Sequence, residues 1–456
     1  MPAASAPALP LPAARDTGDT GDSGAGGRDS LGLLSGFLAV LILVPSQLVF
    51  KPLGAGGTPA AMAALVLLAT WAGGWIVPGA GTGLGRGQPV RWAFMVFLVA
   101  VLCGYTSAAL GHVPGDELSG ADRALISVAA WAGIVLGTAD GIDDRARLER
   151  LIGRIVLAGS VLAAIGILQF FTGFDVSRLL KIPGLTVNEP LALINERSSF
   201  RRVAGTAVHP IEFGVVLAMI FPLALWRAFH TASGRALGPW VSVGLLAVAI
   251  PMSLSRSAFL GLFAVAIVLF PTWPATRLMG AVLITPVFLV AMQAVAHGLL
   301  GTIKSLFVGL TSDPSFQGRT QDYAVVGRFI AQGPVFGRGF GTFDPAKYVL
   351  LDNQYLGIII ELGYFGLAAL LGLFITGIAA ARSARRRAPA GDERWRELCQ
   401  CLAASVTVCL ISFVTFDAFA FPMCAAMTFL VLGCAGAAWR IAGQPDQGAD
   451  QEAAHA

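Results

Sequence analysis

Asp352-Asn353-Gln-Tyr-Leu-Gly-Ile-Ile-Ile-Glu361-Leu-Gly363-Tyr-Phe-Gly366 runs without a break into Leu-Ala-Ala-Leu-Leu-Gly372-Leu-Phe-Ile-Thr-Gly-Ile-Ala-Ala380. The second part is apolar over the length that crosses a bilayer, about twenty residues for roughly 30 Å of hydrocarbon. What precedes it differs in kind. Between Gly301 and Asp352 the chain carries Arg319, Asp322, Arg328, Arg338, Asp344 and Lys347, together with the run Gly337-Arg-Gly-Phe-Gly341. A long hydrophilic segment that enters a membrane helix through Asp-Asn is costly unless something binds there. The candidate site is therefore sought at this junction.

The same contrast extends along the chain. The sequence is 55% hydrophobic and 13% charged, against about 25% charged in an ordinary soluble domain. Apolar runs fall at 31–50, 58–78, 91–111, 122–138, 152–171, 211–229, 238–252, 257–272, 277–298, 353–380, 398–415 and 419–439. The pattern predicts an all-α fold, a polytopic transmembrane helical bundle of about twelve spans with a large external loop before the tenth. One membrane domain over 31–440 is expected, with external loops at about 172–209 and 301–352 and disordered cytoplasmic tails at 1–30 and 441–456. The N-terminal tail is rich in Ala, Pro, Gly, Asp and Ser and cannot bury enough surface to fold. It lacks a basic stretch ahead of a short apolar core, so it does not read as a cleavable signal.

Charge orients the bundle. With the N-terminus inside, the inner connections hold Arg86, Arg91, Arg145, Arg147, Arg150, Arg154, Arg227, Arg235, Arg277 and the cluster Arg382 to Arg396. The short outer connections hold little beyond Lys51 and Arg123. This asymmetry, with tryptophans at the inner ends of the spans, predicts both termini in the cytoplasm. The two long loops fall outside, where translocation is largely indifferent to charge. Each has five cations: Arg178, Lys181, Arg197, Arg201 and Arg202, then Lys304, Arg319, Arg328, Arg338 and Lys347. The six cysteines lie in or beside apolar runs without metal or disulfide spacing, and read as small packing residues.

Four constellations carry chemistry. Arg201-Arg202-Val-Ala-Gly205-Thr-Ala-Val-His209-Pro210-Ile-Glu212 leads from the first long loop into the sixth run. Paired arginines there can grip phosphate through charge-assisted hydrogen bonds, or can reach out to lipid headgroups. Pro210 suits a first helical turn, His209 is a structural or a binding histidine, and Glu212 lies just inside the apolar run. Ser253-Leu-Ser255-Arg256-Ser257 places an arginine among hydroxyls on a tight outer turn. The alternating glycines 337, 339 and 341 suit a backbone nest for an anion, or more simply a tight re-entrant turn. Asp352-Asn353 exceeds what one helix cap needs, and a carboxylate placed there can act as general base toward a hydroxyl.

In order, these motifs resemble the O-antigen ligase and Wzy-type polymerase superfamily. Arg202-Val-Ala-Gly-Thr206 with His209-Pro210 is similar to its Arg-x-x-Gly-Thr and His-Pro-Asn. Ser255-Arg256-Ser-Ala258 is similar to its Ser-Arg-Gly/Ser-Ala turn, and Arg319 with Gly337-Arg-Gly-Phe-Gly-Thr-Phe343 to the segment before its last motif. Asp352-Asn353, nine residues, then Gly363-Tyr-Phe-Gly366 resembles the signature His-Asn/Ser/Gln-x9-Gly-x-x-Gly/Thr/Tyr, with Asp352 in the histidine position. The resemblance covers about residues 150 to 440.

It implies a glycosyl transfer on the outer face of a bacterial cytoplasmic membrane, with no cofactor and no metal. The implied partners are a polyprenyl-diphosphate-linked glycan donor, a glycan or lipid acceptor, the bilayer and other polysaccharide-assembly membrane proteins. No nucleic acid is expected. The implied catalytic residues are Asp352 and Arg319. The implied substrate-binding residues are Arg201, Arg202, His209, Glu212, Arg256 and Asn353. The departure at Asp352 favours polymerisation, or ligation to an acceptor other than lipid A-core. The rival reading is a secondary transporter or flippase, which would gather Glu212, Glu361 and Asp417 around a midplane cavity. The missing repeat symmetry speaks against it. A third is an assembly scaffold, with these residues scattered.

Overall fold

The computed structural model describes residues 25–76, 87–111, 113–187, 196–197, 200–307 and 326–444. The chain is mostly helical, and each of the twelve expected runs falls on a helix. In order these are α1 (Ala25–Leu43), α2 (Pro59–Ile76), α3 (Pro89–Leu110), α4 (Gly115–Gly141), α5 (Arg145–Thr172), α6 (Pro210–Phe229), α7 (Leu237–Met252), α8 (Arg256–Leu269) and α9 (Ala275–Val295). A short α10 (Leu299–Phe307) follows, then α11 (Gln354–Arg387), α12 (Glu393–Ser412) and α13 (Pro422–Ile441). Among the described residues, seven helices are long and apolar enough to cross a membrane, namely α3, α4, α5, α6, α9, α11 and α13. Four more, α1, α2, α7 and α8, are apolar but shorter.

Boundaries moved where polar residues joined the helices. α4 starts at Gly115 with Asp116 and Glu117 in its first turn, where carboxylates favour the helix dipole. α11 reaches Arg387 and carries Arg385, Arg386 and Arg387 in its last turn, the complementary arrangement. α1 begins at Ala25, inside the segment expected to be a tail.

α13 is the central pillar. Its apolar window is 89% buried inside the protein, whereas that of α9 is 6% buried, so α9 stands at the edge and offers its surface to lipid. Trp131 of α4 stacks on Phe429 of α13 at 5.0 Å and on Phe419 at 4.6 Å. Close helix packing elsewhere depends on missing side chains. A Cβ on Gly133 of α4 would lie 2.1 Å from the Ala64 carbonyl of α2. Without a hydrophobic drive between helices in lipid, such small-residue contacts let dispersion hold them together.

The connections sort into two ends. One end gathers the long loops, including β1 (Leu48–Val49) paired antiparallel with β2 (Thr186–Val187), and β3 (Glu196–Arg197) with β4 (Phe200–Arg201). The other end gathers arginines. There Arg145 pairs with Asp392, Arg394 meets Glu149 at 2.6 Å and Arg277 meets Glu397 at 2.7 Å.

Candidate active site at the turn between α12 and α13

The turn over 413–421 is where the expected site residues meet. Asn353 caps α11, its Oδ1 accepting from Tyr355 N at 2.9 Å and Leu356 N at 3.3 Å. Gln354, almost fully buried, fastens the helix start to the turn. Its backbone N–H is shared by the carbonyls of Phe413 and Phe416, and its Oε1 accepts from Phe419 N at 2.6 Å. Asp352 is thereby set beside Asp417. Asp417 keeps some accessible surface, yet burial of its carboxyl, and then the charge of Asp352, push it up to about 7.

The first motif reaches the same turn from the other side. Gly205 takes φ +61, which suits glycine, and Gln169 Oε1 bridges the N–H groups of Ala204 and Gly205 at 3.0 and 2.9 Å. Thr206 donates to the Ile42 carbonyl at 2.6 Å, fixing the segment to the end of α1. These contacts aim Arg202, which is buried and donates from Nε to the Ser253 carbonyl at 3.3 Å. His209 caps α6, with Nδ1 accepting from Ile211 N at 3.1 Å, and its ring packs against Phe421 of the turn. An accepting Nδ1 leaves the proton on Nε2. Burial, reinforced by the charge of Arg202, lowers His209 to about 4, so it is a neutral donor at physiological pH.

The arginine turn completes the ring. Leu254, fully buried, is held at φ +49, a left-handed conformation costly for a branched side chain and a form of strain found at functional sites. It lets the chain reverse between α7 and α8, so that Ser253 presents its carbonyl to Arg202 and Arg256 begins α8. Next to Arg256, Ser257 Oγ accepts from Thr415 of the turn at 2.7 Å. Arg202 and His209, Arg256, and Asp352 thus come from three segments, each of which touches this one turn, through His209, Ser257 and Gln354 respectively. Arg319 lies outside the described residues, as does the side chain of Arg201.

Two of the expected binding residues make contacts within the protein. Glu212 was expected at the substrate, but its carboxylate is committed to the protein. Oε2 accepts from Val208 N at 2.7 Å, and Oε1 from Met423 N at 2.7 Å and Cys424 N at 3.1 Å. It ties the first motif to the start of α13. Asn353 likewise turns its side-chain oxygen toward its own helix.

The glycine run is a tight turn that closes on a carboxyl group of the protein itself. Gly337, Gly339 and Gly341 all have positive φ. The N–H groups of Gly341 and Phe343 donate to Glu361 Oε1 at 2.9 and 3.3 Å. α11 is broken at Gly363 (φ +66, ψ −167), and the loop fills the break. Arg338 N and Gly339 N donate to the carbonyls of Ile360 and Glu361, while Tyr364 N and Phe365 N donate to those of Pro334 and Val335. Two loop cations are also internally neutralised. Arg338 pairs with Glu117 of α4, and Lys347 with Asp116 and Glu117.

A cavity of about 620 Å³ opens at the same end, lined by Gln169, Asp175, Lys181 and residues 204, 205, 207 and 208 among others. None of Arg202, His209, Arg256 or Asp352 lines it. Among the described residues no cluster of three metal-ligating side chains is present.

Residues 241–371 match the family described as O-antigen ligase, Wzy_C. That stretch is similar to an O-antigen ligase domain. The matched stretch runs from α7 through the second long loop into α11, and takes in Arg256, Arg319, Asp352 and the Gly363-Tyr-Phe-Gly366 break. Arg202, His209 and Asp417 fall outside it, yet the fold carries Arg202 to Ser253 and Asp417 to Asp352, both within the matched stretch. No match was found among curated proteins. The rival transporter reading would gather Glu212, Glu361 and Asp417 around a midplane cavity. The structure sets Asp417 beside Asp352, and Glu361 under the glycine loop. Asp417 is the only acid in the short connection Phe413-Val-Thr-Phe-Asp417-Ala-Phe-Ala-Phe421, a signal that was available.

Proposed function

We propose that this membrane polysaccharide ligase or polymerase transfers a glycan from a polyprenyl diphosphate to an acceptor hydroxyl, at the loop-bearing face of a bacterial cytoplasmic membrane. The observation that carries this reading is the meeting of Arg202, neutral His209, Arg256 and the Asp352–Asp417 pair around one turn, at the loop end of a stretch similar to an O-antigen ligase domain. The arginine-rich opposite end faces the cytoplasm in this reading, which puts both termini inside and makes twelve crossings.

In the transfer, the bond between the sugar anomeric carbon and the diphosphate oxygen breaks, and the acceptor oxygen bonds to that carbon from the opposite side. The leaving diphosphate gains negative charge, which guanidinium groups of Arg202, Arg256, Arg319 and Arg201 stabilise most at the transition state. The His209 Nε2–H is a further donor to phosphate oxygen. The acceptor proton passes to Asp352, which also orients the hydroxyl. This chemistry calls for no metal or cofactor.

The test uses a deletion strain complemented with Asp352→Ala, Asp352→Asn or Arg319→Ala at matched expression. Lipid-linked precursor should accumulate in the membranes, with polymer transfer reduced at least a hundredfold, the range for loss of a general base or charge-stabilising group. Polymer of normal amount and length would refute the assignment. Unpolymerised single repeats in the deletion strain identify a polymerase, and full-length unattached chains a ligase.

A further inference from the structure

A second charged cavity lies at the opposite end of the bundle. It measures about 680 Å³ and sits between α5, α6 and α7, with Arg394 of α12 closing one side. Four arginines line it, Arg150, Arg154, Arg227 and Arg394, against a single carboxylate, Glu149. That carboxylate is already engaged by Arg394 at 2.6 Å and Arg145 at 3.2 Å. Among the described residues neither Arg150 nor Arg227 pairs with an acid. Arg150 donates only to the Ala146 carbonyl of its own helix, and Arg154 turns to the Leu31 carbonyl and Ser35 of α1.

The cavity is shaped for this charge. Gly153 of α5 forms its floor, and a Cβ there would lie 2.2 Å from Arg227 Nη1, so the absent side chain is what seats that guanidinium. Trp226 forms a wall, with its ring under Arg394 and its Nε1 bonded to the Arg394 carbonyl at 2.9 Å. The rim turns apolar. Leu157, which lines the cavity, is 63% exposed on a membrane-crossing helix, and Leu237, Trp240 and Val241 of α7 are exposed beside it. A basic pocket between helices, at tryptophan depth and open toward an apolar surface, matches the head and tail of a lipid in one place.

We propose that this cavity binds the phosphodiester headgroup of an anionic phospholipid from the leaflet at the arginine-rich end. Its acyl chains lie along Leu157 and the start of α7. The site is independent of the chemistry at the loop end and uses none of its residues. Neutralised by a phosphodiester, Arg150 and Arg227 cross-brace α5 to α6.

The experiment is native mass spectrometry of the full chain in detergent, titrated with phosphatidylglycerol, phosphatidylcholine or inorganic phosphate. Wild-type protein should bind phosphatidylglycerol well above phosphatidylcholine. Arg150→Gln with Arg227→Gln should weaken phosphatidylglycerol about thirty-fold, two surface-cation contributions. Arg235→Gln, which removes an exposed arginine at the same end outside the cavity, should leave it unchanged. Gly153→Leu gives a second route, filling the cavity without removing charge, and should weaken binding similarly. Equal binding by wild type and both cavity variants would overturn the proposal. So would competition by millimolar phosphate as strong as by the lipid, which would make the site one for a soluble anion.

Discussion

Gly363→Ala tests the geometry on which the loop end depends. Gly363 stands at φ +66 and ψ −167, a region that only glycine enters without strain, at a cost of about 1–3 kcal/mol for other residues. A methyl group there would also lie 2.3 Å from the Val335 carbonyl oxygen and 2.7 Å from Phe336 N, both backbone, so the loop must move away. Four backbone hydrogen bonds join the loop to the break, and each contributes about 0.5–1.5 kcal/mol net. Strain with half of those bonds lost gives about 2–6 kcal/mol of local destabilisation. The control is Gly372→Ala, nine residues further along α11 with nothing within 4 Å of its Cβ position. That change should be neutral or stabilise by up to about 1 kcal/mol, as alanine does inside a helix. Thermal midpoints of purified protein in detergent, with limited proteolysis of 333–343 and glycan transfer in the deletion strain, read the difference. Equal stability and transfer for the two variants would show that the loop does not rest on the break.

Other predictions follow from the ties around the turn. Glu212→Ala orphans three buried N–H groups and should cost about 3 kcal/mol or more, while transfer per folded molecule stays near wild type; a stable but inactive variant would return Glu212 to the substrate. Glu117→Gln removes the charge that holds Arg338 and Lys347, and should speed tryptic cleavage at those two residues several-fold; an unchanged digestion pattern would refute the anchoring role. Asp417 is pushed up to about 7 by burial and by Asp352, so its protonated form is the one the fold favours. Its contribution to stability is full below about pH 4 and is lost as pH rises to about 7. Asp417→Asn should therefore flatten thermal stability between those values, and an unaltered slope would refute the pairing.

Hydropathy made the helices legible because each must satisfy its own backbone in lipid, and the apolar length follows from bilayer thickness. Polar turns were less legible. The first turn of α4 reads as loop by composition, since Asp116 and Glu117 gain their helical state from the dipole and from Arg338 and Lys347, about 220 residues away in sequence. The motif arginines were visible, but which cations are neutralised within the protein was not. Arg338 looks no different in sequence from Arg256, and only the fold gives it Glu117. Glu212 and Glu361 read as functional because carboxylates near lipid usually are. Both instead hold backbone N–H groups where segments join, which depends on partners that local sequence does not reveal.

A carboxylate where the ligase pattern has histidine raises a question of basicity. An unperturbed aspartate titrates near 3.9 and an imidazole near 6.5, and a general base works best close to the ambient pH. Asp417 is buried beside the charge of Asp352, and both effects disfavour its ionised form. Together they push Asp417 up to about 7, and Asp352 stands beside it at the junction with the long loop. Meanwhile His209, which packs against this turn, is held as a neutral donor by burial and the charge of Arg202, with its Nδ1 committed to the helix cap. The proposed division is therefore between His209, kept neutral by burial and Arg202, and Asp352, the carboxylate assigned to the acceptor's proton, with Asp417 as its protonatable neighbour.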